Sequence, residues 1–298
     1  MFKSGYFVFI LLSGLAVNAY ANDFDNAINN TISKCSDISA ELSDLKRMAG
    51  INTAITGVGT AAATGATIVG IVKSSVDKEL REILARVDEG AKNPPKNPTA
   101  DEALNVYDKH ITSTNSQSDS DTLSKKSKAL GHWRTGLMGG ATVTNVAGAV
   151  IAGNNRVDDD LQLRIGECIK SVDALKSAIA QAQIDKLDTS RASKIAAACG
   201  EWKYADLSVI NNRARGAMIS SIVGATTGAV GTITSASANS DGVRAGDEQK
   251  EKNLNTASNV LAGGTAVAGG VATIFNATQI AAVKKIVKIA DECEGTLQ

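Results

Sequence analysis

Four cysteines and two histidines are the residues of this 298-residue sequence that are most able to carry out chemistry. They are Cys35, Cys168, Cys199, Cys293, His110 and His132. The cysteines lack the Cys-x-x-Cys spacing of zinc and redox motifs, and neither histidine has a second ligand at a metal-binding spacing. We interpret His132 as a surface residue or one near a helix start. The sequence therefore predicts no metal site and no catalytic residues.

Glycines and acidic residues are arranged for structure rather than for ligand binding. Gly57-Val58-Gly59 and Gly263-Gly264 are not followed by the Lys-Ser/Thr pair of a phosphate-binding loop. Asp158-Asp159-Asp160 lacks the alternating ligands and glycine turn of a calcium loop, and such a trio is typical of a helix start. Basic and acidic residues are equal, at 31 each, which argues against nucleic-acid binding. We expect no enzyme activity, no cofactor and no small-molecule substrate.

The N-terminus has the pattern of a secretory signal peptide, residues 1–21. Lys3 precedes an apolar segment from Tyr6 to Val17, and Ala19-Tyr20-Ala21 fits the small-residue rule for cleavage before Asn22. An uncleaved membrane anchor is the alternative. The expected location is periplasmic or secreted, and association with an envelope membrane is left open.

In an oxidising compartment, an even number of cysteines favours disulfide bonds. Each cysteine falls on an apolar stripe with helical spacing, so two helices packed along their stripes could bring two sulfur atoms together. We predict the pairs Cys35–Cys168 and Cys199–Cys293, each closing the base of a helical hairpin. The rival pairing joins Cys168 to Cys199 and Cys35 to Cys293, and four buried free thiols remain a further alternative.

Four segments without any charged residue alternate with the cysteine-bearing stretches. They are residues 48–72, 135–155, 216–240 and 253–283, and consist mostly of Gly, Ala, Thr, Ser and Val. Each is long enough to cross a bilayer as a helix. Glycines spaced by four, which allow helices to approach closely, occur at Gly136 with Gly140 and at Gly224 with Gly228.

The order of cysteine, charge-free segment, polar excursion, charge-free segment and cysteine occurs twice, which suggests an internal repeat. The predicted units are residues 22–185, with a polar insertion at 73–130, and residues 190–298. Within the insertion, we expect a helix at 73–87, a break at the prolines of 89–99, a short helix at 103–110 and a loop at 112–122. A helix interrupted near Asp188 should link the units.

Three structures are compatible with the charge-free segments: a soluble tight bundle, membrane-inserted hairpins, or strands. Low hydrophobicity argues against insertion, as do Asn52, Asn145, Asn259 and Asn276, which would need hydrogen-bonding partners in lipid. We expect a mainly α-helical fold with two related long hairpins in an antiparallel bundle. The predicted function is that of a non-enzymatic structural or interaction protein of the cell envelope. The alternative is a membrane-inserting helical-hairpin protein, either a pore-former or a secreted effector.

The predicted partners follow from these two functions. A protein partner or self-association is expected, and a membrane is the alternative partner.

Overall fold

The structure, a computed structural model, describes residues 22–92, 100–240, 243 and 248–298, with the side chains of 86–117 left outside the description. The predicted signal peptide, residues 1–21, lies outside the described residues. Everything with regular secondary structure in the described part is helical, which confirms the mainly α-helical bundle and excludes the strand alternative there.

Seven α-helices and one short 3₁₀ turn make up the described part of the chain. They are α1 (22–35), α2 (Ile38–Lys92), α3 (Ala100–Asn154), α4 (Asp159–Ile184), α5 (Ser190–Gly200), the 3₁₀ turn Glu201–Tyr204, α6 (Leu207–Ala238) and α7 (Glu248–Leu297).

Local sequence explains several of the helix ends. Asp37, with φ of 63°, interrupts the helix between α1 and α2, and Asp tolerates this left-handed conformation better than most residues. The Asp158 carboxylate caps α4 by accepting a hydrogen bond from the Leu161 N–H at 2.8 Å, which confirms the predicted helix start. Lys186, with φ of 58°, lies in the break between α4 and α5 that was predicted near Asp188.

One local prediction was wrong. Residues 112–122 were expected to form a loop because they are rich in Ser, Thr, Asn and Asp, yet they are helical within α3. Intrinsic propensity is a weak guide in such a segment, because it differs between these residues and good helix formers by less than 1 kcal/mol per residue. The proline-rich residues 93–99 lie outside the described residues.

The chain divides into two compact units that do not coincide with the two predicted sequence units. The described part of unit 1 comprises residues 22–53, Ile151–Ala217 and Ile274–Gln298, and unit 2 comprises the described residues of Ala54–Val150 and Met218–Thr273. Each unit therefore takes segments from both halves of the sequence. The internal repeat remains a prediction.

Unit 1 has a conventional interior of large apolar side chains. Ile38, Leu42, Leu175 and Trp202 are fully buried in one cluster with all four cysteines. The predicted apolar stripes supply this cluster, so in unit 1 the sequence pattern and the buried face agree.

Candidate functional site

Both predicted disulfides are present in unit 1. Cys35 is bonded to Cys168 and Cys199 to Cys293, with Cα–Cα distances of 4.8 and 4.5 Å. The two bonds are neighbours, because the sulfur atoms of Cys35, Cys199 and Cys293 lie within 4.8 Å of one another. This proximity explains why the rival pairing was hard to exclude from spacing alone.

Polar contacts on the surface of unit 1 connect the same helices. Lys34 Nζ on α1 donates a hydrogen bond to Glu167 on α4 at 2.7 Å, next to the Cys35–Cys168 bond. This hydrogen bond, together with the charge of Lys34, lowers the pKa of Glu167. Glu294 on α7 accepts hydrogen bonds from the backbone N–H and the hydroxyl of Ser39 at 2.9 and 2.7 Å. The disulfides are thus flanked by ordinary solvent-exposed ionic contacts.

Unit 2 has a different interior. Among its described residues, the only buried apolar side chains larger than alanine are Val76 and Met138. The remaining interior positions hold Gly, Ala and polar residues. The buried polar residues of unit 2 are Thr56, Lys73, Asp77, Ser127, Arg134, Asn145, Ser221, Ser235, Asn239, Asn255, Ser258 and Thr265.

These interior residues follow one another at alternating steps of three and four along each helix. We call this set of buried positions the seam of unit 2. It consists of 56, 59, 63, 66, 70, 73 and 77 on α2; 127, 131, 134, 138, 141, 145 and 148 on α3; 221, 224, 228, 231, 235 and 238 on α6; and 255, 258, 262, 265, 269 and 272 on α7. An average step of 3.5 residues is the pattern of helices packed side by side over a long distance.

Hydrogen bonds join the helices along the seam. Thr135 and Ser235 hydroxyls lie 2.9 Å apart, and those of Thr227 and Thr265 lie 3.0 Å apart. The Ser258 hydroxyl donates to the Gly231 carbonyl oxygen at 3.1 Å. Interhelical hydrogen bonds of this kind hold helices together where apolar burial supplies little attraction.

A buried cluster of charged residues lies on α2, α3 and α7 near the ends of the charge-free segments. Lys73, which is 1% exposed, contacts Asp77 at 2.6 Å and Glu251 at 3.4 Å. The Ser127 hydroxyl hydrogen-bonds the second carboxylate oxygen of Asp77. We call Lys73, Asp77, Arg134 and Glu251 the charged cluster.

Arg134 is the fully buried member of this cluster. Its guanidinium donates to the backbone carbonyl and side-chain oxygen of Asn255, at 3.1 and 3.4 Å. The Arg134 Nε, by contrast, has no hydrogen-bonding partner among the described residues. The sequence prediction missed this cluster; the available signal was that Lys73 and Arg134 each border a charge-free segment.

Two wholly buried polar side chains of the seam are also without partners. Asn145 makes no hydrogen bond through Oδ1 or Nδ2 to any described residue, and the same holds for the Ser221 hydroxyl. Leaving a buried polar group unpaired costs about 1–3 kcal/mol. The seam is therefore not optimised as a dry interior.

The exterior of unit 2 is apolar. The exposed large apolar side chains on its four charge-free segments are Val58, Ile68, Ile71, Val72, Val143, Val146, Val150, Ile219, Ile222, Val223, Val230, Ile233, Val260, Val267 and Val271. Exposed threonines hide their polarity: the hydroxyls of Thr64, Thr226 and Thr234 each donate to the carbonyl oxygen four residues earlier in the same helix. Unit 2 thus has polar side chains inside and aliphatic side chains outside.

Of the predicted helix-packing glycines, two lie at helix contacts and two do not. A Cβ added to Gly224 would lie 2.9 Å from Asn145 Nδ2, and one added to Gly228 would lie 2.6 Å from Thr142 Oγ1. Gly136 and Gly140 are exposed, with no other atom near the position of a Cβ, so their prediction was wrong. The buried face of α3 passes through Gly131, Arg134 and Met138 instead, because the seam runs along that side of the helix.

The glycines therefore provide a matched pair of substitutions. We expect Gly228→Leu to lower the thermal unfolding midpoint of the full-length protein, since overpacking costs about 1–3 kcal/mol. Gly140→Leu should leave the midpoint unchanged or raise it, because leucine favours helix more than glycine does. Circular dichroism melting of both variants measures the difference, and an equal loss in the two would contradict the assigned seam.

The other predicted residues have no visible role in a site. His132 is exposed on α3, and the side chain of His110 lies outside the described residues. Cys35, Cys199 and Cys293 are the one group of potential metal ligands that meets in the described part, and all three are engaged in disulfides.

Four helical stretches of the described chain are long and apolar enough to cross a membrane, judged by length and composition. They contain the four charge-free segments. No protein-family model matches this chain, and neither the curated proteins nor the solved structures include a significant match. The chemistry of the two units therefore has to support any functional conclusion by itself.

Proposed function

We propose that the protein is exported and integrates into a lipid bilayer through the charge-free helices of unit 2. The observation that supports this most directly is the inverted distribution of side chains in unit 2. Aliphatic residues face outwards, whereas serine, threonine, asparagine and charged residues face inwards. Unit 1 has the ordinary distribution of a protein domain in water.

The free energy of this inversion depends on the solvent. In water, burying an Ile or Val side chain stabilises a protein by about 1.5–3 kcal/mol, so an exterior of exposed Val and Ile forgoes a large contribution. In a bilayer the same exterior faces hydrocarbon, and the polar groups are withdrawn to where helices can hydrogen-bond each other. The arrangement of unit 2 is thus unfavourable in water and suitable in lipid.

Length and flanking residues agree with this environment. A helix needs about 20 apolar residues to cross the hydrocarbon region, and the charge-free segments of 21 to 31 residues meet that length. Trp133, which is exposed at one end of the segment 135–155, suits the interface between lipid and water. Arg134 and Lys73 border their segments and turn inwards rather than towards lipid.

The expected topology follows from four crossings. Two consecutive crossings return the chain to its starting side, so the cysteine-bearing stretches emerge on one side of the membrane and the polar excursions on the other. Disulfides require that the cysteine side be the oxidising one. The predicted signal peptide supplies the route of export.

This proposal selects the membrane-inserting alternative over the soluble interaction protein that the sequence favours. The low hydrophobicity of the segments was the argument against insertion. That argument averages over each helix, whereas the exposed face alone meets lipid. Gly, Ala, Ser and Asn lower the average chiefly from the seam.

Fractionation of the full-length protein tests the proposal. Expressed with its own N-terminus, it should remain in the pellet after carbonate extraction and should float with lipid in a density gradient. A peripheral protein would be released by carbonate, and a soluble bundle would stay at the bottom of the gradient in monodisperse form. Either result would refute integration.

A further inference from the structure

We propose that the seam of unit 2 is the closed form of a path for small monovalent ions across the membrane. This inference rests on the proposed integration into a bilayer and adds an activity to it. It depends on two features that helix association alone does not require: the buried charged cluster and the unpaired polar side chains.

The charged cluster lies where a charge is least expected in a simple membrane anchor. Ionisable side chains inside transmembrane helices are rare because of their desolvation cost, and they commonly mark ion or proton pathways. Lys73 and Asp77 occupy seam positions of α2, and Arg134 occupies one of α3. Glycine or alanine, which fill neighbouring seam positions, would hold the same helices together without this cost.

The neutral part of the seam is also better suited to water than to a dry interior. Asn145 and Ser221 are wholly buried on facing helices, and their side-chain polar atoms have no partner among the described residues. The Asn145 amide lies against Gly224 of α6 and Gly269 of α7. Water or a partly hydrated ion would supply the hydrogen bonds that the closed bundle does not.

The path is closed in this structure. Cβ atoms added at Gly224 and Gly228 would overlap neighbouring side chains, so the helices are too close for an ion to pass. Conduction therefore requires the helices to move apart. The unpaired polar groups favour this opening, because separation exposes them to water and removes their desolvation penalty.

The charges at the end of the path determine its selectivity. Lys73 and Arg134 contribute two positive charges, and Asp77 and Glu251 contribute two negative ones. This balance predicts weak discrimination between cations and anions. Neutralising both carboxylates, by Asp77→Asn with Glu251→Gln, should make the path prefer chloride over potassium.

The test uses full-length protein in phosphatidylcholine–phosphatidylglycerol liposomes and planar bilayers. We expect wild-type protein to produce discrete currents in KCl. Asn145→Leu, which keeps a similar volume and removes the polar group, should lower the mean current at least tenfold. Val143→Leu changes an outward-facing residue two positions away and should conduct like wild type. Ser221→Ala, which barely alters packing, should lower the current severalfold and serves if Asn145→Leu does not fold.

Flotation of the same liposomes separates the two proposals. Wild-type protein that floats without current overturns the path and leaves membrane integration standing, whereas protein that does not float overturns both. Undiminished current in Asn145→Leu and Ser221→Ala would also overturn the path. Release of carboxyfluorescein would do so as well, since a dye-sized opening is a lesion rather than a narrow seam.

Discussion

Replacing both cysteines of either disulfide by serine is expected to lower the free energy of unfolding of unit 1 by about 5 kcal/mol. The Cys35–Cys168 bond spans 133 residues and the Cys199–Cys293 bond spans 94. In the chain-entropy model, closing loops of this length restricts the unfolded chain by nearly the same amount in both cases. Since whole domains are stable by only about 5–15 kcal/mol, either loss is large.

The fluorescence of Trp202 provides a local measurement of this effect. Trp202 is buried in the same core as the disulfides, whereas Trp133 is exposed in unit 2, so a Trp133→Phe background leaves one reporter in unit 1. Urea unfolding of the full-length protein should then show a large decrease in midpoint for each double variant. An unchanged midpoint would mean that the disulfides do not support the fold.

Both members of a pair have to be replaced together. A single change such as Cys168→Ser would leave the Cys35 thiol within 4.8 Å of the sulfur atoms of Cys199 and Cys293. Its thiolate could attack the second disulfide and form a non-native bond. The double variants avoid this exchange, and peptide mapping under non-reducing conditions verifies that the remaining pair is native.

Lysine at the lipid-facing positions Val143 and Val267 is expected to remove the protein from the membrane fraction. Both side chains are 68% exposed on unit 2. A lysine near the centre of a transmembrane helix costs about 2.5–3.5 kcal/mol on the insertion scale. In a soluble bundle the same substitutions on the surface would change stability by only about 0.5 kcal/mol or less.

Leu163→Lys is the matched control for these variants. Leu163 is 60% exposed on α4 in unit 1, so it should tolerate a charge whether or not unit 2 lies in a membrane. The fraction of each variant that floats with lipid is the measurement. Equal flotation of Val143→Lys, Val267→Lys and wild type would contradict the assignment of the outer face of unit 2 to lipid.

Unit 1 was predictable to a large extent from sequence. Its helices carry Ile, Leu and Cys at steps of three and four among charged residues, so one face of each helix is clearly apolar. The disulfide pairing followed because each cysteine lies on such a face. The four sulfur atoms then meet in one cluster, as the structure confirms.

The seam of unit 2 was not predictable in the same way. In a segment of Gly, Ala, Thr and Val, every face of the helix has nearly the same hydrophobicity, so periodicity does not identify the buried side. Gly136 with Gly140 and Gly224 with Gly228 share the same spacing, yet only the second pair lies at a helix contact. The difference depends on which helices are neighbours, and that is a long-range property.

The sequence alone thus determined the helical class, the charge-free segments and the cysteine pairs, because each depends on local composition and spacing. Tertiary structure decided which side of each charge-free helix faces inwards. It also assembled Lys73, Asp77, Arg134 and Glu251 from three helices far apart in the chain. Packing between distant segments selects one face among several equivalent ones, and the polar interior of unit 2 follows from that selection.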